Sequence, residues 1–139
     1  MQKQALRFLS GMALLLAASS AFAQTHLRAN IPFDFIVDKA KLAAGEYDIS
    51  TLGFATEKTL LLRNSDAKTA RMINVNVVQA NRPASQTKLV FQRYGDRYFL
   101  SQIWVEGRDI GRELPRSARE AELALDYSPT KVFVLAEMR

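Results

Sequence analysis

The chain of 139 residues contains no cysteine and a single histidine, His26. The absence of cysteine excludes disulfides, thiolate nucleophiles and Cys-ligated zinc, so packing and hydrogen bonds alone must hold the fold together. One histidine cannot form a His-rich metal site, and we expect His26 to be exposed and without a catalytic role. No GxSxG motif occurs, which argues against a serine hydrolase of that type.

The sequence also lacks a hydrophobic run long enough to cross a bilayer, which requires about 20 residues. The longest apolar run, 8–18, is shorter, and Lys3 and Arg7 precede it. Ala-Phe-Ala at 21–23 has the small-x-small pattern of a cleavage site. This order predicts a signal peptide over 1–23. We therefore expect an exported protein, periplasmic or extracellular, with no membrane span after cleavage.

Neither sign of charge dominates the predicted mature chain. The formal net charge of +5 falls to +3 when Lys3 and Arg7 leave with the signal peptide. The remaining charges are interspersed, without the basic stripe and interleaved aromatics of a nucleic-acid-binding surface, so no nucleic-acid partner is expected. Residues 24–139 are sufficient for one domain with its own core.

Alternating apolar residues predict that most of this domain is β-strand. In 27–37 nearly every second residue is apolar, and Pro32 within it predicts an edge position or a bulge, because proline cannot donate to a ladder. Further strands are predicted at 47–52, 59–63, 70–79 and 131–138. The last of these places Val132, Val134 and Ala136 on one face and Phe133 and Leu135 on the other.

The clearest local pattern is a hairpin of 88–94 and 97–105 around Gly95 and Asp96. Glycine at the first central position suits a type II′ turn. Both strands carry apolar residues on both faces, which favours a place in the sheet interior. The turn pairs the strands in a fixed order: Phe91 with Leu100, Arg93 with Tyr98, Leu89 with Gln102, and Lys88 with Ile103.

A loop is predicted over 106–111, followed by a helix over 117–126. Ser117 and Glu120 form a capping-box pattern at the helix start. The apolar residues expected to pack beneath this helix are Ala118, Ala121, Leu123 and Leu125. Together the elements predict a mainly β domain, a single small antiparallel β-sandwich or barrel of about seven strands with one short helix near the C-terminus.

The densest group of charges lies between 108 and 120. Guanidinium groups bind carboxylates and phosphates through paired hydrogen bonds, so this segment is a candidate surface for an anion or a protein partner. The more ordinary interpretation is a network of surface ion pairs that ties the loop to the helix. The candidate binding residues are Arg108, Arg112, Arg116 and Arg119.

Aromatic residues concentrate on the 88–105 hairpin. Tyr94, Tyr98 and Trp104 are candidates for the wall of a ligand pocket. The alternative is that they are core residues and cross-strand pairs, which is the commoner role of aromatics in sheets.

Two pairs of carboxylates are the remaining candidates for a catalytic or metal-binding role. Asp34 with Asp38, or Glu46 with Asp48, could face one side of a strand, and a glycosidase needs two carboxyl groups about 5–10 Å apart. Such pairs are far more often solvated surface, and the spacing of an EF-hand is absent. No cofactor or metal site is predicted.

Four motifs resemble a family of small, signal-peptide-bearing exported proteins of soil bacteria that has no characterised activity. The motifs are IPFDF at 31–35, AGEY at 44–47, RYGDRYFL at 93–100 and GRELP at 111–115. The resemblance covers most of the predicted mature chain. It implies an exported all-β protein and assigns no functional residue.

The export pattern and the lack of catalytic motifs lead to one principal hypothesis. We expect a non-enzymatic binding or structural domain of the cell envelope or extracellular space. The sequence does not identify its partner, for which an envelope protein and a small apolar ligand are the two candidates. The alternative is a carrier with an apolar cavity lined by the 88–105 hairpin, and a carboxylate-based enzyme is a residual third possibility.

Overall fold

The computed structural model describes residues 26–52, 58–66 and 68–139, so the predicted signal peptide lies outside the described part of the chain. The described residues form a mainly β structure with one helix, which confirms the predicted class. The seven-strand sandwich or barrel is not matched, because eleven strands form one open, curled sheet. Among the described residues, no helix is long and apolar enough to cross a membrane.

The strands and the helix are numbered in chain order. They are β1 (His26–Ile31), β2 (Phe35–Val37), β3 (Ala40–Leu42), β4 (Gly45–Leu52), β5 (Thr59–Asn64), β6 (Thr69–Asn74), β7 (Asn76–Gln79), β8 (Lys88–Tyr94), β9 (Arg97–Trp104), β10 (Ile110–Glu113), α1 (Ala118–Asp126) and β11 (Thr130–Met138).

Hydrogen-bonded neighbours follow the order β3-β2-β9-β8-β11-β1-β4-β5-β6, and β10 joins β7 to β9. All pairs are antiparallel except β2 with β9, which pair in parallel through Ile36 and Phe99. β9 therefore has two partners along one edge, β2 near its start and β10 near its end, where Ile103 pairs with Arg112.

The predicted strand 27–37 is divided at Pro32, and the two halves lie far apart in the sheet order. β1 ends at Ile31, paired with Gly45, and Pro32 cannot donate to continue the ladder. Pro32 thus ends a strand of the sheet interior, which corrects the predicted edge position or bulge. The predicted strand 70–79 is divided in the same way at Val75, whose N–H donates to the Lys58 carbonyl at 2.7 Å.

Two short strands were not predicted. β3 pairs with β2 in a small hairpin, and β10 begins at the end of the segment predicted to be a loop at 106–111. β10 has a hydrogen-bonded strand on each of its edges. Gly111 pairs with Val78 of β7, and Glu113 pairs with Gln102 of β9. β10 depends on partners distant in sequence, and β3 is only three residues long, so no local alternation indicates either strand.

The hairpin of β8 and β9 has the predicted turn. Gly95 has φ +63°, the sign that a type II′ turn requires at its first central residue. The predicted pairs Phe91 with Leu100 and Arg93 with Tyr98 are confirmed. The predicted pairing of Leu89 and Lys88 is wrong by one residue, because a bulge between Val90 and Phe91 shifts the register. Leu89 pairs with Ile103, and Lys88 with Trp104.

The core lies on the concave face of the curled sheet. Phe35 sits at its centre, with its ring edge-to-face against Tyr47 at 5.1 Å and against Phe91 at 5.6 Å. In β11, Val132, Val134 and Ala136 face this core while the intervening side chains face solvent, as the alternation predicts. The largest core side chains with the least exposure are Phe35, Phe91, Ile31, Leu62, Leu89 and Val37.

The helix begins as predicted but packs differently. The Ser117 side chain accepts a hydrogen bond from the Glu120 N–H at 3.2 Å, which is the N-cap contact. Of the residues expected beneath the helix, only Leu123 is half-buried; Ala118 and Ala121 are exposed, and Leu125 is 86% exposed. The buried residue of the helix is Glu120.

Truncation of Phe91 tests the position of the core. Phe91 is fully buried between Phe33 and Phe35, so Phe91→Ala should lower the free energy of unfolding by about 3–5 kcal/mol. Leu125→Ala is the control, because that side chain is exposed and should change stability by less than about 0.5 kcal/mol. Urea unfolding followed by fluorescence measures both. A loss below about 1 kcal/mol for Phe91→Ala would place the core elsewhere.

Candidate functional site

A surface groove of about 560 Å³ lies where β2 approaches the β8–β9 turn. Its volume is within the range of small-molecule sites. We call it the β2–β9 groove. It is lined by Phe33, Asp34, Phe35, Ile36, Lys41, Asp96, Arg97, Tyr98 and Arg119.

The backbone that forms one side of the groove is the link from β1 to β2. Proline at 32 ends β1, and the chain then passes through Phe33 and Asp34 into the parallel pairing with β9. The Asp34 carboxylate accepts a hydrogen bond from the Ala44 N–H at 2.9 Å, which ties this link to the turn before β4. The Tyr47 hydroxyl donates to the Ala43 carbonyl at 2.6 Å and holds the same turn.

Stacked aromatic rings form the floor of the groove. The rings of Phe33 and Tyr98 are stacked at 3.8 Å with an interplanar angle of 15°. Phe33 also contacts Phe91 edge-to-face at 4.9 Å, so the stack is anchored in the core. The Arg93 guanidinium lies 5.5 Å from the centre of the Tyr98 ring. Because Phe33 covers one face of Tyr98, the floor is a supporting structure more than a stacking surface for a ligand.

The rim of the groove carries three cationic side chains, Lys41, Arg97 and Arg119, and two carboxylates, Asp34 and Asp96. Within the described part of the chain, none of the three cations forms an ion pair within 4.0 Å. One carboxylate, Asp34, is already engaged by a backbone N–H. With three cations and two carboxylates, the rim carries a formal net charge of +1 beside an aromatic floor.

Helix α1 carries Arg119 to this rim and is held in place by a buried polar contact. The Tyr94 hydroxyl donates to Glu120 Oε2 at 3.0 Å, and Arg116 Nε lies 3.3 Å from the same oxygen. The Tyr94 ring is 1% exposed and packs edge-to-face on Phe99 at 5.7 Å. Burial and the hydrogen bond to Glu120 raise the pKa of the Tyr94 hydroxyl above its usual value. Arg116 thus serves the fold, and Arg119 remains available.

The four arginines predicted as one binding surface are divided among three places. Arg108 and Arg112 line an apolar cavity of about 30 Å³ at the end of β4 and β10, which has room for one or two water molecules. Arg116 is exposed and paired with Glu120 at the start of the helix, and Arg119 alone of the four lies on the β2–β9 groove.

The three aromatic candidates are divided as well. Tyr98 lines the groove, whereas Tyr94 is buried beneath α1. Trp104 donates from Nε1 to Gln102 Oε1 at 3.0 Å, and its ring lies flat on β10, where a Cβ on Gly111 would come within 2.7 Å of it. Tyr94 and Trp104 are therefore packing residues of the convex face, and the structure does not bring the three rings to one pocket.

The carboxylate pairs lie on the surface. Glu46 and Asp48 both contact Arg28 Nε, at 2.8 Å and 3.0 Å, so this pair belongs to an ion cluster on the convex face of β1 and β4. Asp34 lies on the groove and Asp38 in the turn between β2 and β3. In 26–52, 58–66 and 68–139 no three His, Asp or Glu side chains are grouped as a metal ion would require, and His26 is exposed.

Two cations of the rim, Lys41 and Arg97, were not predicted as site residues. Arg97 lies in the RYGDRYFL motif next to the predicted turn, and this position was the only feature of the sequence that indicated a role for Arg97 in a site. Its neighbours Asp34 and Lys41 are more than fifty residues earlier in the chain, and only the parallel pairing of β2 with β9 brings them together.

No protein-family model, no curated protein and no solved structure matches this chain.

The contact between Tyr94 and Glu120 predicts a pH dependence of stability. Since the pKa of Tyr94 is raised in the folded protein, the unfolded chain releases this phenolic proton first as the pH rises past about 10. The unfolded state therefore gains stability with rising pH. Tyr94→Phe should flatten the decrease in melting temperature between about pH 9 and 11, whereas Tyr127→Phe, at an exposed position, should follow the wild type.

The same variants test the hydrogen bond at neutral pH. Tyr94→Phe removes the hydroxyl donor to Glu120, which keeps only its ion pair with Arg116, and should lower the free energy of unfolding by about 1–3 kcal/mol. Alkaline melting curves that run parallel for the wild type and Tyr94→Phe would contradict a buried, protonated Tyr94.

Proposed function

We propose that this chain is an exported, non-enzymatic binding domain whose β2–β9 groove holds an anionic group, a phosphate or a carboxylate, of its ligand. The observation that carries the proposal is the set of three unpaired cations, Lys41, Arg97 and Arg119, on the rim of one groove. Guanidinium groups bind planar and tetrahedral oxyanions with two hydrogen bonds at a time, which suits them to this ligand class.

The construction of the groove supports binding rather than chemistry. Its two carboxylates lie on the same rim as the cations, and one of them, Asp34, holds backbone geometry. The stacked floor of Phe33 and Tyr98 fixes the groove before a ligand arrives, which reduces the ordering cost of binding.

The export part of the proposal derives from the predicted signal peptide at 1–23. The carrier alternative has less support. The apolar cavity beside Arg108 and Arg112 holds about 30 Å³, roughly a tenth of the smallest ordinary ligand pocket.

Isothermal titration of the purified protein at low ionic strength tests the proposal, with inorganic phosphate and citrate as separate probes. We expect the probe of the correct class to bind, and binding to weaken with added salt because the cations are exposed. Arg97→Gln and Arg119→Gln should each weaken the affinity by about three- to tenfold. Arg82→Gln, which removes an exposed arginine outside the groove, is the matched control.

Comparing these variants distinguishes anion binding at the β2–β9 groove from nonspecific attraction of an anion to a basic protein. Equal losses for Arg82→Gln and Arg119→Gln would show only a nonspecific effect of net charge and would overturn the groove as the site. No heat with either probe, with the fold intact by circular dichroism, would also contradict the proposal.

A further inference from the structure

The convex face of β11 carries an apolar patch flanked by opposite charges. Because Val132, Val134 and Ala136 face the core, Lys131, Phe133, Leu135 and Glu137 face outward in a row. Phe133 is 56% exposed and Leu135 is 60% exposed. Two large apolar side chains side by side on an open sheet face are an uncommon feature of a surface that contacts only water.

The end of this patch at the start of β11 is positive. Lys131 is exposed, and its strand neighbour Gln92 is uncharged. Lys88 is paired with Leu135 across the ladder, and its ammonium group extends over the Phe133 ring, 4.6 Å from the ring centre. Both lysines are without an ion pair within the described residues.

The other end of the patch is negative. Glu137 is paired with Arg28 on β1, whose guanidinium is already held by Glu46 and Asp48. Glu106 lies beside Leu135 and Glu137, along the wall of a shallow depression of about 480 Å³. Arg139 follows the strand, so four carboxylates face two guanidinium groups at this end. Lys131 stands at the opposite end, and the ammonium group of Lys88 lies between the two ends, over the Phe133 ring.

We propose that this face is a homodimer interface, in which a second copy of the chain packs its β11 antiparallel to the first, sheet against sheet. The charge pattern supports a second copy because the row is self-complementary: its centre is residue 134, and a two-fold axis there places Lys131 opposite Glu137 of the other copy. A two-fold interface requires such a patch, in which each residue faces its own complement.

The two-fold axis must run perpendicular to the strands. An axis along the strands would place Lys131 against Lys131 and Glu137 against Glu137, which is repulsive at both ends. With the perpendicular axis, Phe133 of each copy lies over Leu135 of the other, next to the depression beside Leu135. Sheets packed in this way are about 10 Å apart, a spacing that two layers of apolar side chains fill.

The inferred dimer is independent of the proposed ligand. The β2–β9 groove opens beside β2 and the β8–β9 turn, whereas the interface follows the convex face of β11, since α1 covers the same face of β8 at Tyr94. Two grooves would therefore be presented by one particle, which raises the effective affinity for a ligand with repeated anionic groups.

Sedimentation velocity over a concentration series tests the inference with charge exchanges at exposed positions. We expect the wild type to dimerise, and Lys131→Glu or Glu137→Lys alone to weaken self-association by at least about tenfold, because each puts like charges together twice per dimer. The double variant with both exchanges should return to within about threefold of the wild type. Lys39→Glu, in the turn between β2 and β3, is the control and should change nothing.

Mixing the two single variants gives the sharpest outcome. Lys131→Glu and Glu137→Lys should each be mainly monomeric, because each variant places like charges opposite one another. When the two are mixed they should form a heterodimer, because every glutamate of one chain then faces a lysine of the other. Melting temperatures near that of the wild type confirm that each variant folds. A wild type that stays monomeric at every soluble concentration, or a dimer that is insensitive to these exchanges, would overturn the proposal.

Discussion

The link between β1 and β2 is the constraint on which the rest of the structure depends. In the sheet order β9, β8 and β11 lie between these two strands, so a flat sheet would separate them by four strand spacings, about 19 Å. The four steps from Ile31 to Phe35 reach at most about 14 Å. The sheet must therefore curl until the two strands approach each other, and the link crosses the end of the enclosed core. Pro32 makes this crossing possible, because it ends the β1 ladder and releases the chain.

The groove follows from this crossing. Phe33, at the middle of the link, stacks on Tyr98 and contacts Phe91, so it joins the core to the floor of the site. The parallel pairing of β2 with β9 then sets Asp34 beside the β8–β9 turn, and the contact of Glu120 with Tyr94 holds α1 so that Arg119 reaches the same rim. In the proposed function, the rigid floor and the cations from three separate elements make the groove a site that is largely organised before binding.

Local patterns in the sequence predicted the local structure well. The class, the hairpin turn at Gly95, the cap at Ser117 and the alternation of β11 are each determined by residues close together in the chain, and each is present. The errors have different causes. β10 forms only because the distant strands β7 and β9 provide ladders, whereas β3 is too short to show an alternation. The bulge after Val90 shifts a register that a turn alone would have set. Helix α1 buries Glu120 in place of its alanines, because its neighbour is the Tyr94 hydroxyl. The arginines predicted as one binding surface are close in sequence but lie at different ends of the domain. Arg108 and Arg112 line the small apolar cavity, whereas Arg119 lines the β2–β9 groove.

The central claim is that the groove created by the β1–β2 crossing is where an anion binds. Amide chemical shifts of the ¹⁵N-labelled protein, recorded while inorganic phosphate is added at low ionic strength, test this claim most directly. The account predicts saturable shifts confined to Phe33–Ile36, Lys41, Asp96–Tyr98 and Arg119. Saturable shifts centred on Arg108 and Arg112 would instead place the site at the opposite end of the domain. Small, linear shifts over all basic residues would contradict a defined site.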